Sequence, residues 1–128
     1  MELLFRDDAM RVYIAGPYSK PDPLENMGIA LRMAEHVWVR GDIPYVPHLT
    51  GFWQFAHPHP YGSWLALDMK WLQVCDGFLR FPGESPGADK EEARAKELGL
   101  CIWHGLEEYL KHRLWSRVSA AAGSNGGA

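Results

Sequence analysis

One stretch sets the architecture of this chain: Phe78-Leu-Arg-Phe-Pro-Gly-Glu-Ser-Pro-Gly-Ala-Asp-Lys-Glu91-Glu-Ala-Arg-Ala95. It leaves a short apolar run, crosses a turn rich in Pro and Gly, and enters a segment rich in Ala, Lys and Glu that is typical of a helix. Strand, glycine turn and helix start together indicate the carboxyl end of a strand in an α/β sheet. Open α/β folds bind ligands at that edge, because helix N-termini and free backbone N–H groups converge there.

The turn and the helix start carry groups that suit chemistry on a sugar phosphate. Ser85 offers a hydroxyl, Gly87 allows close approach to the backbone, and Glu91 follows roughly one to two helical turns into the helix. An anion-binding turn followed by a carboxylate suits an enzyme that holds a sugar phosphate and attacks its anomeric carbon. The alternative is a capped surface helix with an ordinary exposed glutamate, since short motifs often match by chance.

Strands and helices alternate along the rest of the chain. The apolar runs predict strands over Met10–Ala15, Ile43–Pro47, Phe78–Phe81 and Leu100–Trp103. Helices are expected from Asp22-Pro23 to Gly41 and over Trp64–Val74, Asp89–Leu98 and Leu106–Trp115, with a loop rich in aromatics, His and Pro over Leu49–Ser63. This alternation predicts an α/β fold, a small doubly wound Rossmann-like parallel sheet of four to five strands flanked by helices.

Two predicted helices have an apolar face that we expect to pack on the sheet. In the first helix the face consists of Leu24, Met27, Leu31, Ala34 and Trp38, and in the second of Trp64, Leu67, Trp71 and Val74. The domain is expected to span residues 10–117, after a polar lead-in over residues 1–9. The tail, residues 118–128, is nearly all Ala, Gly, Ser and Asn and is expected to be disordered.

Composition excludes several classes of function. The 128 residues are 47% hydrophobic with a net charge of −3 and contain no basic run, so binding to a nucleic-acid polymer is not expected. No apolar stretch has membrane-spanning length. With no secretory signal, Cys75 and Cys101 are expected to be reduced thiols in a cytoplasmic protein. His57 and His59 form only a weak metal motif, and Asp76 is expected to anchor the start of its strand.

Three separated pieces of the chain occur in a suggestive order: Tyr13-Ile-Ala-Gly-Pro17, then Leu67-Asp68 with Asp76 ahead of a strand, then Ser85-Pro-Gly-Ala with Glu91 and Ala95. Together they resemble the nucleoside 2-deoxyribosyltransferase superfamily, including its nucleotide N-glycoside hydrolase branch and its uncharacterised phage and bacterial relatives. The resemblance covers about Arg11 to Leu110. Its specificity comes from the order, spacing and placement of the three pieces, each of which is weak alone.

The resemblance implies catalytic roles for three residues. Glu91 corresponds to the nucleophile that attacks C1 of the sugar and forms a glycosyl-enzyme. Tyr13 corresponds to the tyrosine that orients this glutamate, and Asp68 to the carboxylate that delivers a proton to the leaving base. Taken alone, Tyr13 would more often be a core residue and Asp68 a solvated one, and Glu92 is a competing carboxylate.

The resemblance also implies substrate contacts. Ser85 and the Gly87 backbone match the turn that holds the 5′-phosphate in the nucleotide hydrolases, and Gly16 makes room for the ligand. His48 matches, less securely, a residue near the base or phosphate. Tyr18 after the first strand and Trp53 in the aromatic loop complete the candidates, although that loop could equally form a hydrophobic flap or a subunit contact.

The sequence thus predicts an enzyme that cleaves the N-glycosidic bond of a nucleoside 5′-monophosphate or nucleoside through Glu91, with water resolving the intermediate and no metal or cofactor required. One alternative is a deoxyribosyltransferase that exchanges bases. The transferases complete their site with a neighbour's C-terminal residues, and the Gly/Ala-rich terminus here does not resemble that arrangement. Another alternative is a non-catalytic nucleotide-binding module. The family resemblance further implies a homo-oligomer, a dimer or larger.

Overall fold

Four parallel strands form the central sheet: β1 (Arg11–Ala15), β2 (Ile43–Tyr45), β3 (Gly77–Arg80) and β4 (Cys101–His104). Their order across the sheet is β2-β1-β3-β4. The structure, a computed structural model, describes residues 4–114. The helices are α1 (Pro23–Val39), α2 (Thr50–Ala56), α3 (Tyr61–Leu72), α4 (Pro86–Glu97) and α5 (Leu106–His112).

Helices cover both faces of this sheet, because alternate side chains of each strand point to opposite sides. In β1, Val12 and Ile14 pack with residues of α1 and α5, whereas Tyr13 and Ala15 pack with residues of α3 and α4. All four of these β1 side chains are buried. The predicted doubly wound α/β fold is therefore confirmed.

Helix α1 begins as the sequence predicts but turns a different face to the sheet. The side chain of Asp22 accepts a hydrogen bond from the Leu24 N–H and so caps the helix. The buried positions include Met27, Ala30 and Val37, whereas the predicted core residues Leu24, Leu31 and Trp38 are exposed. Trp38 packs instead edge-on against Phe5 of the lead-in, with ring centroids 5.4 Å apart. The spacing of apolar residues within the helix could not predict this contact, because Phe5 lies outside the helix.

The segment predicted as a loop over Leu49–Ser63 contains the short helix α2. It follows a single 3₁₀ turn over Pro47–Leu49, which shortens the predicted second strand to Ile43–Tyr45. None of the residues in α2 is fully buried. A helix of seven residues without a buried position carries little of the amphipathic signal on which helix prediction depends.

Helices α3, α4 and α5 differ from the prediction mainly at their ends. Helix α3 starts at Tyr61, directly after Pro60, and ends at Leu72. Leu72 is buried, whereas the predicted inward residues Trp71 and Val74 are about half exposed. Helix α4 starts three residues early because Ser85 caps it. Helix α5 ends at His112, and the predicted end at Trp115, the domain limit at 117 and the tail lie outside the described residues.

Two polar contacts tie the strands to their surroundings. The side chain of Asp76 accepts a hydrogen bond of 2.9 Å from the Arg11 N–H, so its predicted anchoring role is confirmed. On the opposite face, the fully buried carboxylate of Asp42 accepts hydrogen bonds from Arg113 at 2.8 and 3.0 Å and from the Tyr109 hydroxyl at 2.7 Å. These bonds join the start of β2 to the end of α5.

Cys75 and Cys101 are both free thiols in the structure. They belong to opposite layers, since Cys75 packs beside Phe78 and Cys101 packs against the layer that contains Trp103. No helix in the described part of the chain is long and apolar enough to cross a bilayer.

Candidate active site

A cavity of about 710 Å³ opens at the carboxyl ends of β1 and β3. Parallel strands bring all their carboxyl ends to one edge, so the segments that follow them meet here. The walls come from the loop after β1, from α2 and α3, and from the first turns of α4. Most predicted site residues line this cavity: Gly16, Tyr18, His48, Asp68, Ser85, Gly87 and Glu91.

Glu91 lies in the second turn of α4 and turns its carboxylate toward β1. Its residue is only 8% exposed. The hydroxyl of Tyr13, from the middle of β1, donates a hydrogen bond to Glu91 Oε2. The Tyr13 ring is itself fixed by stacking on Phe78 of the adjacent strand, at 5.8 Å and an interplanar angle of 6°. The tyrosine that the resemblance assigns to orienting the glutamate therefore contacts it directly.

Asp68 reaches the same cavity from α3. Its Oδ1 is buried and has no hydrogen-bond partner among residues 4–114. Burial, together with the negative charge of Glu91, raises the pKa of Asp68 to about 7. The neighbouring Tyr45 responds to the same environment, since burial and the charge of Asp68 raise the pKa of its hydroxyl to about 12. Asp68 is thus a carboxyl group placed to be protonated near neutral pH.

The two carboxyl groups are not equivalent. Burial raises the pKa of Glu91 to about 7, but the Tyr13 hydrogen bond and the positive charge of Arg80 act in the opposite direction. Asp68 has no such stabilisation of its ionised form. When the pair holds one proton, that proton therefore favours Asp68. The arrangement provides an ionised carboxylate that can attack an electron-poor carbon, and a carboxylic acid that can donate a proton.

The N-terminus of α4 forms the third wall of the cavity. Ser85 is its N-cap, and the Ser85 hydroxyl oxygen accepts a hydrogen bond of 3.1 Å from the Ala88 N–H. The Gly87 N–H has no hydrogen-bond partner among the described residues. Free amides at a helix N-terminus bind anions, and Lys20 and Lys90 add positive charge to the same cavity. This wall suits a phosphate group.

Neighbouring side chains occupy the space that a Cβ would take at Gly16 and at Gly87. A Cβ at position 16 would overlap the ring of Phe81, which is buried beneath the cavity. A Cβ at position 87 would meet the hydroxyl of Tyr61, which reaches across from α3. Tyr61 is exposed and its side chain can move aside, so packing requires a glycine at position 16 but not at position 87.

His48 is buried beside the loop that follows β1. Its Nε2 lies 2.9 Å from the carbonyl oxygen of Pro17, which only an N–H can satisfy, so Nε2 is the donor. Nδ1 is buried without a partner in the described part of the chain. Burial lowers the pKa of His48, so the ring is neutral near pH 7. His48 therefore supports the loop as a neutral ring.

Two predicted site residues do not line the cavity: Tyr13, which is fully buried and contacts Glu91, and Trp53. Trp53 lies on the outer side of α2, is 53% exposed, and packs edge-on against Trp64. Trp64 and Gln54 take the cavity positions in this region instead. Because this segment was expected to be a loop, no helical spacing could be used to predict that Gln54 lines the cavity and Trp53 does not.

Several further residues of the site were not predicted: Lys20, Tyr45, Gln54, Tyr61, Arg80 and Lys90. Of these, Arg80 could have been found, because it lies near the end of the predicted strand Phe78–Phe81, which leads into the turn before Glu91. In residues 4–114 no group of three or more His, Cys, Asp or Glu side chains is arranged to hold a metal ion.

A family model described as "Domain of unknown function (DUF7768)" matches residues 10–104, well over half of the chain, and the chain belongs to this family. No curated protein sequence matches it. A solved structure titled "2-desoxiribosyltransferase from Leishmania mexicana" shares the fold, with a TM-score of 0.55 and 18% sequence identity. The match covers 73% of this chain and 62% of that one, so this chain spans less than two-thirds of that protein's length.

Proposed function

We propose that this member of the DUF7768 family cleaves the N-glycosidic bond of a nucleoside 5′-monophosphate or nucleoside, with Glu91 as the nucleophile. The observation that carries the proposal is the pairing of two unlike carboxyl groups in one cavity. Glu91 receives a hydrogen bond from Tyr13, whereas Asp68 Oδ1 has no partner among the described residues. The shared fold with a protein titled a 2-desoxiribosyltransferase adds support for nucleoside chemistry.

The first step forms a covalent glycosyl-enzyme. A carboxylate oxygen of Glu91 bonds to C1′ as the bond from C1′ to the base nitrogen breaks, and the electron pair of that bond leaves with the base. Asp68 donates its proton to the base, so that the leaving group departs neutral. Cleavage of a glycosidic bond passes through an oxocarbenium-like transition state, which an adjacent carboxylate stabilises.

The second step returns the enzyme to its starting state. Water attacks C1′, the bond to Glu91 breaks, and the proton released by the water returns to Asp68. The sum is hydrolysis of the nucleotide to base and sugar phosphate. The phosphate would bind at the start of α4, where the Gly87 N–H, the Ser85 hydroxyl and the charge of Lys90 are available.

The test is a chromatographic assay of base release from ribo- and deoxyribonucleosides and their 5′-monophosphates, with and without a second free base. We expect release from monophosphates without an acceptor, and a loss of about 1,000-fold or more in Glu91→Ala. The matched variant is Glu92→Ala, whose carboxylate does not line the cavity and pairs with Lys96, His104 and Arg80. We expect it to lose far less activity.

The other outcomes would each overturn a definite part of the proposal. Product only in the presence of an acceptor base would identify a transferase. A loss of activity in Glu92→Ala and not in Glu91→Ala would show that Glu91 is not the nucleophile. Nucleotide binding without base release from any substrate would leave a binding module.

A further inference from the structure

Gln54 has a side-chain orientation that its neighbours determine completely. Its Oε1 accepts a hydrogen bond of 2.8 Å from the His59 N–H and another of 2.5 Å from the Trp64 indole N–H. Both partners are donors only, so they must face the oxygen of the carboxamide and not its NH₂ group. The two N–H bonds of Gln54 Nε2 consequently have no partner within residues 4–114.

The free NH₂ group belongs to the cavity of the candidate active site. Gln54, His59 and Trp64 all line that cavity. Trp64 and Asp68 are four residues apart on α3 and therefore lie on the same face of the helix, one turn from each other. The Trp64 indole thus holds the carboxamide of Gln54 beside the part of the cavity wall that runs from Trp64 to Asp68.

That stretch of wall is where the leaving base would lie, an inference that rests on the proposed function. Asp68 can protonate the base only if the base is next to it. On this placement, the base lies within reach of the carboxamide of Gln54, which Trp64 holds one helical turn from Asp68. Gln54 presents a hydrogen-bond donor to the base and, with its oxygen occupied, no acceptor.

We propose that Gln54 determines base specificity by favouring oxo-bases, the 6-oxopurines and 4-oxopyrimidines, over the corresponding amino-bases. A carbonyl oxygen of the base accepts a hydrogen bond from Nε2. An amino group at the same position would set donor against donor, and this hydrogen bond could not form. Discrimination based on an unpaired polar group is expected to amount to about 10-fold to 100-fold in kcat/KM.

The competing explanation is that Gln54 only ties α2 to α3. The substitution Gln54→Glu distinguishes this structural role from a role in base specificity. A glutamate keeps one oxygen for the His59 N–H and the Trp64 indole, so the tie is preserved. It replaces the NH₂ group by a second oxygen, which accepts where the wild type donates. The matched control is Gln73→Glu, which makes the same charge change at an exposed residue after α3.

The measurement is the ratio of kcat/KM for inosine over adenosine 5′-monophosphate and for uridine over cytidine 5′-monophosphate. We expect wild type and Gln73→Glu to favour the oxo-base about 10-fold or more, and Gln54→Glu to lose or reverse that preference. A wild-type ratio within about threefold of one, or an equal loss on both members of each pair in Gln54→Glu, would overturn the inference.

A failure of the proposed function can be told apart from a failure of this inference. If the wild type releases base from none of the four nucleotides and from none of their 2′-deoxy counterparts, the proposed reaction is wrong, and calorimetric dissociation constants for the same nucleotides decide the role of Gln54. Tighter binding of the oxo-nucleotides that disappears in Gln54→Glu would support the proposed role of Gln54 in base specificity. Equal affinities of the wild type for oxo- and amino-nucleotides would overturn that role.

Discussion

Tyr13 and Tyr109 each donate a hydrogen bond to a buried carboxylate, yet the two carboxylates behave in opposite ways. The pKa of Glu91 is raised, because burial outweighs the hydrogen bond from Tyr13. The pKa of Asp42 is lowered, because hydrogen bonds from Arg113, Tyr109 and the Met10 N–H outweigh its burial. Asp42 is thus ionised at neutral pH, whereas Glu91 can change its protonation state there.

Tyr13→Phe tests the role of the hydrogen bond to Glu91. The substitution keeps the ring and removes the one contact that stabilises ionised Glu91 directly, so the pKa of Glu91 should rise. Because the reaction needs ionised Glu91, the acidic limb of the profile of kcat/KM against pH should move to higher pH. A hydrogen bond to a charged group contributes about 1.5–3 kcal/mol, which corresponds to a loss of roughly 10-fold to 100-fold at neutral pH.

Tyr109→Phe is the matched control for this measurement. It removes the same kind of bond, from a fully buried tyrosine to a carboxylate, on the opposite face of the sheet. We expect it to lower thermal stability and to leave the pH profile in place. A shift of the acidic limb in both variants, or in neither, would contradict a specific role for Tyr13.

At the residue scale, the sequence was informative where a side chain follows directly from its place on a strand or helix. Glu91, Asp68, Ser85 and Gly16 lie on regular elements or at their ends, and the structure brings them to one cavity. Their catalytic and binding roles stay predictions. Gln54 could not be predicted, because its orientation depends on the Trp64 indole, a partner that sequence spacing does not reveal.

At the scale of elements, the turn between β3 and α4 has two separable roles. The Ser85 hydroxyl oxygen caps α4, and the same residue lines the wall proposed for the phosphate. The turn is tied to the end of β3 by Arg80, whose guanidinium lies 2.8 Å from Asp89 and 3.5 Å from the Gly83 carbonyl oxygen. The cap acts on stability, and in the proposed function the free hydrogen of the hydroxyl would act on phosphate binding.

Ser85→Ala separates these roles. Loss of an N-cap should lower the free energy of unfolding by about 1 kcal/mol. KM should rise for 5′-monophosphates and change little for the corresponding nucleosides, because only the former carry the phosphate. The control is Asp22→Ala, which removes the N-cap of α1. It should cost similar stability without altering the ratio of the two KM values, and an unchanged ratio in Ser85→Ala would exclude the phosphate contact.

Prediction of the elements succeeded for those that pack on the sheet and failed for α2. The strands and the helices α1, α3, α4 and α5 have apolar positions that burial in one of the two layers explains. Helix α2 has no buried residue, so its formation depends on the neighbouring 3₁₀ turn and on contacts with α3. These are tertiary contacts, and the spacing of apolar residues within α2 does not predict them.

At the scale of the whole molecule, one buried ion pair joins distant parts of the chain. Asp42 is fully buried, and Arg113 bonds to it and also to the carbonyl oxygen of Asp8 at 2.7 Å. The lead-in, the start of β2 and the end of α5 are therefore fixed to one another by a single guanidinium. Removing one partner of a buried pair is costly because the other charge stays behind without compensation.

Arg113→Met should lower the free energy of unfolding by about 3 kcal/mol or more, as measured by urea denaturation at pH 7. The control Lys111→Met, at an exposed pair with Glu107 on the same helix, should change it by about 0.5 kcal/mol or less. The pKa of Asp42 is lowered in the folded state, so its stabilising effect is present above its ordinary pKa and is lost as the pH falls.

The difference between wild type and Arg113→Met should therefore shrink in acid, as Asp42 becomes protonated. A difference that stays constant from neutral to acidic pH would mean that Arg113 stabilises the fold by packing alone. The sequence did not predict this pair, because the two residues are far apart in the chain and neither belongs to a motif.

The contact of Phe81 with Gly16 has a consequence for how relatives of this chain can diverge. Because the phenyl ring occupies the space of a Cβ at position 16, a larger residue at 16 needs a smaller one at 81. Replacement of Gly16 in a relative must therefore accompany or follow a change at position 81. In an alignment of relatives, positions 16 and 81 should vary together, with a larger residue at 16 found only beside a smaller one at 81.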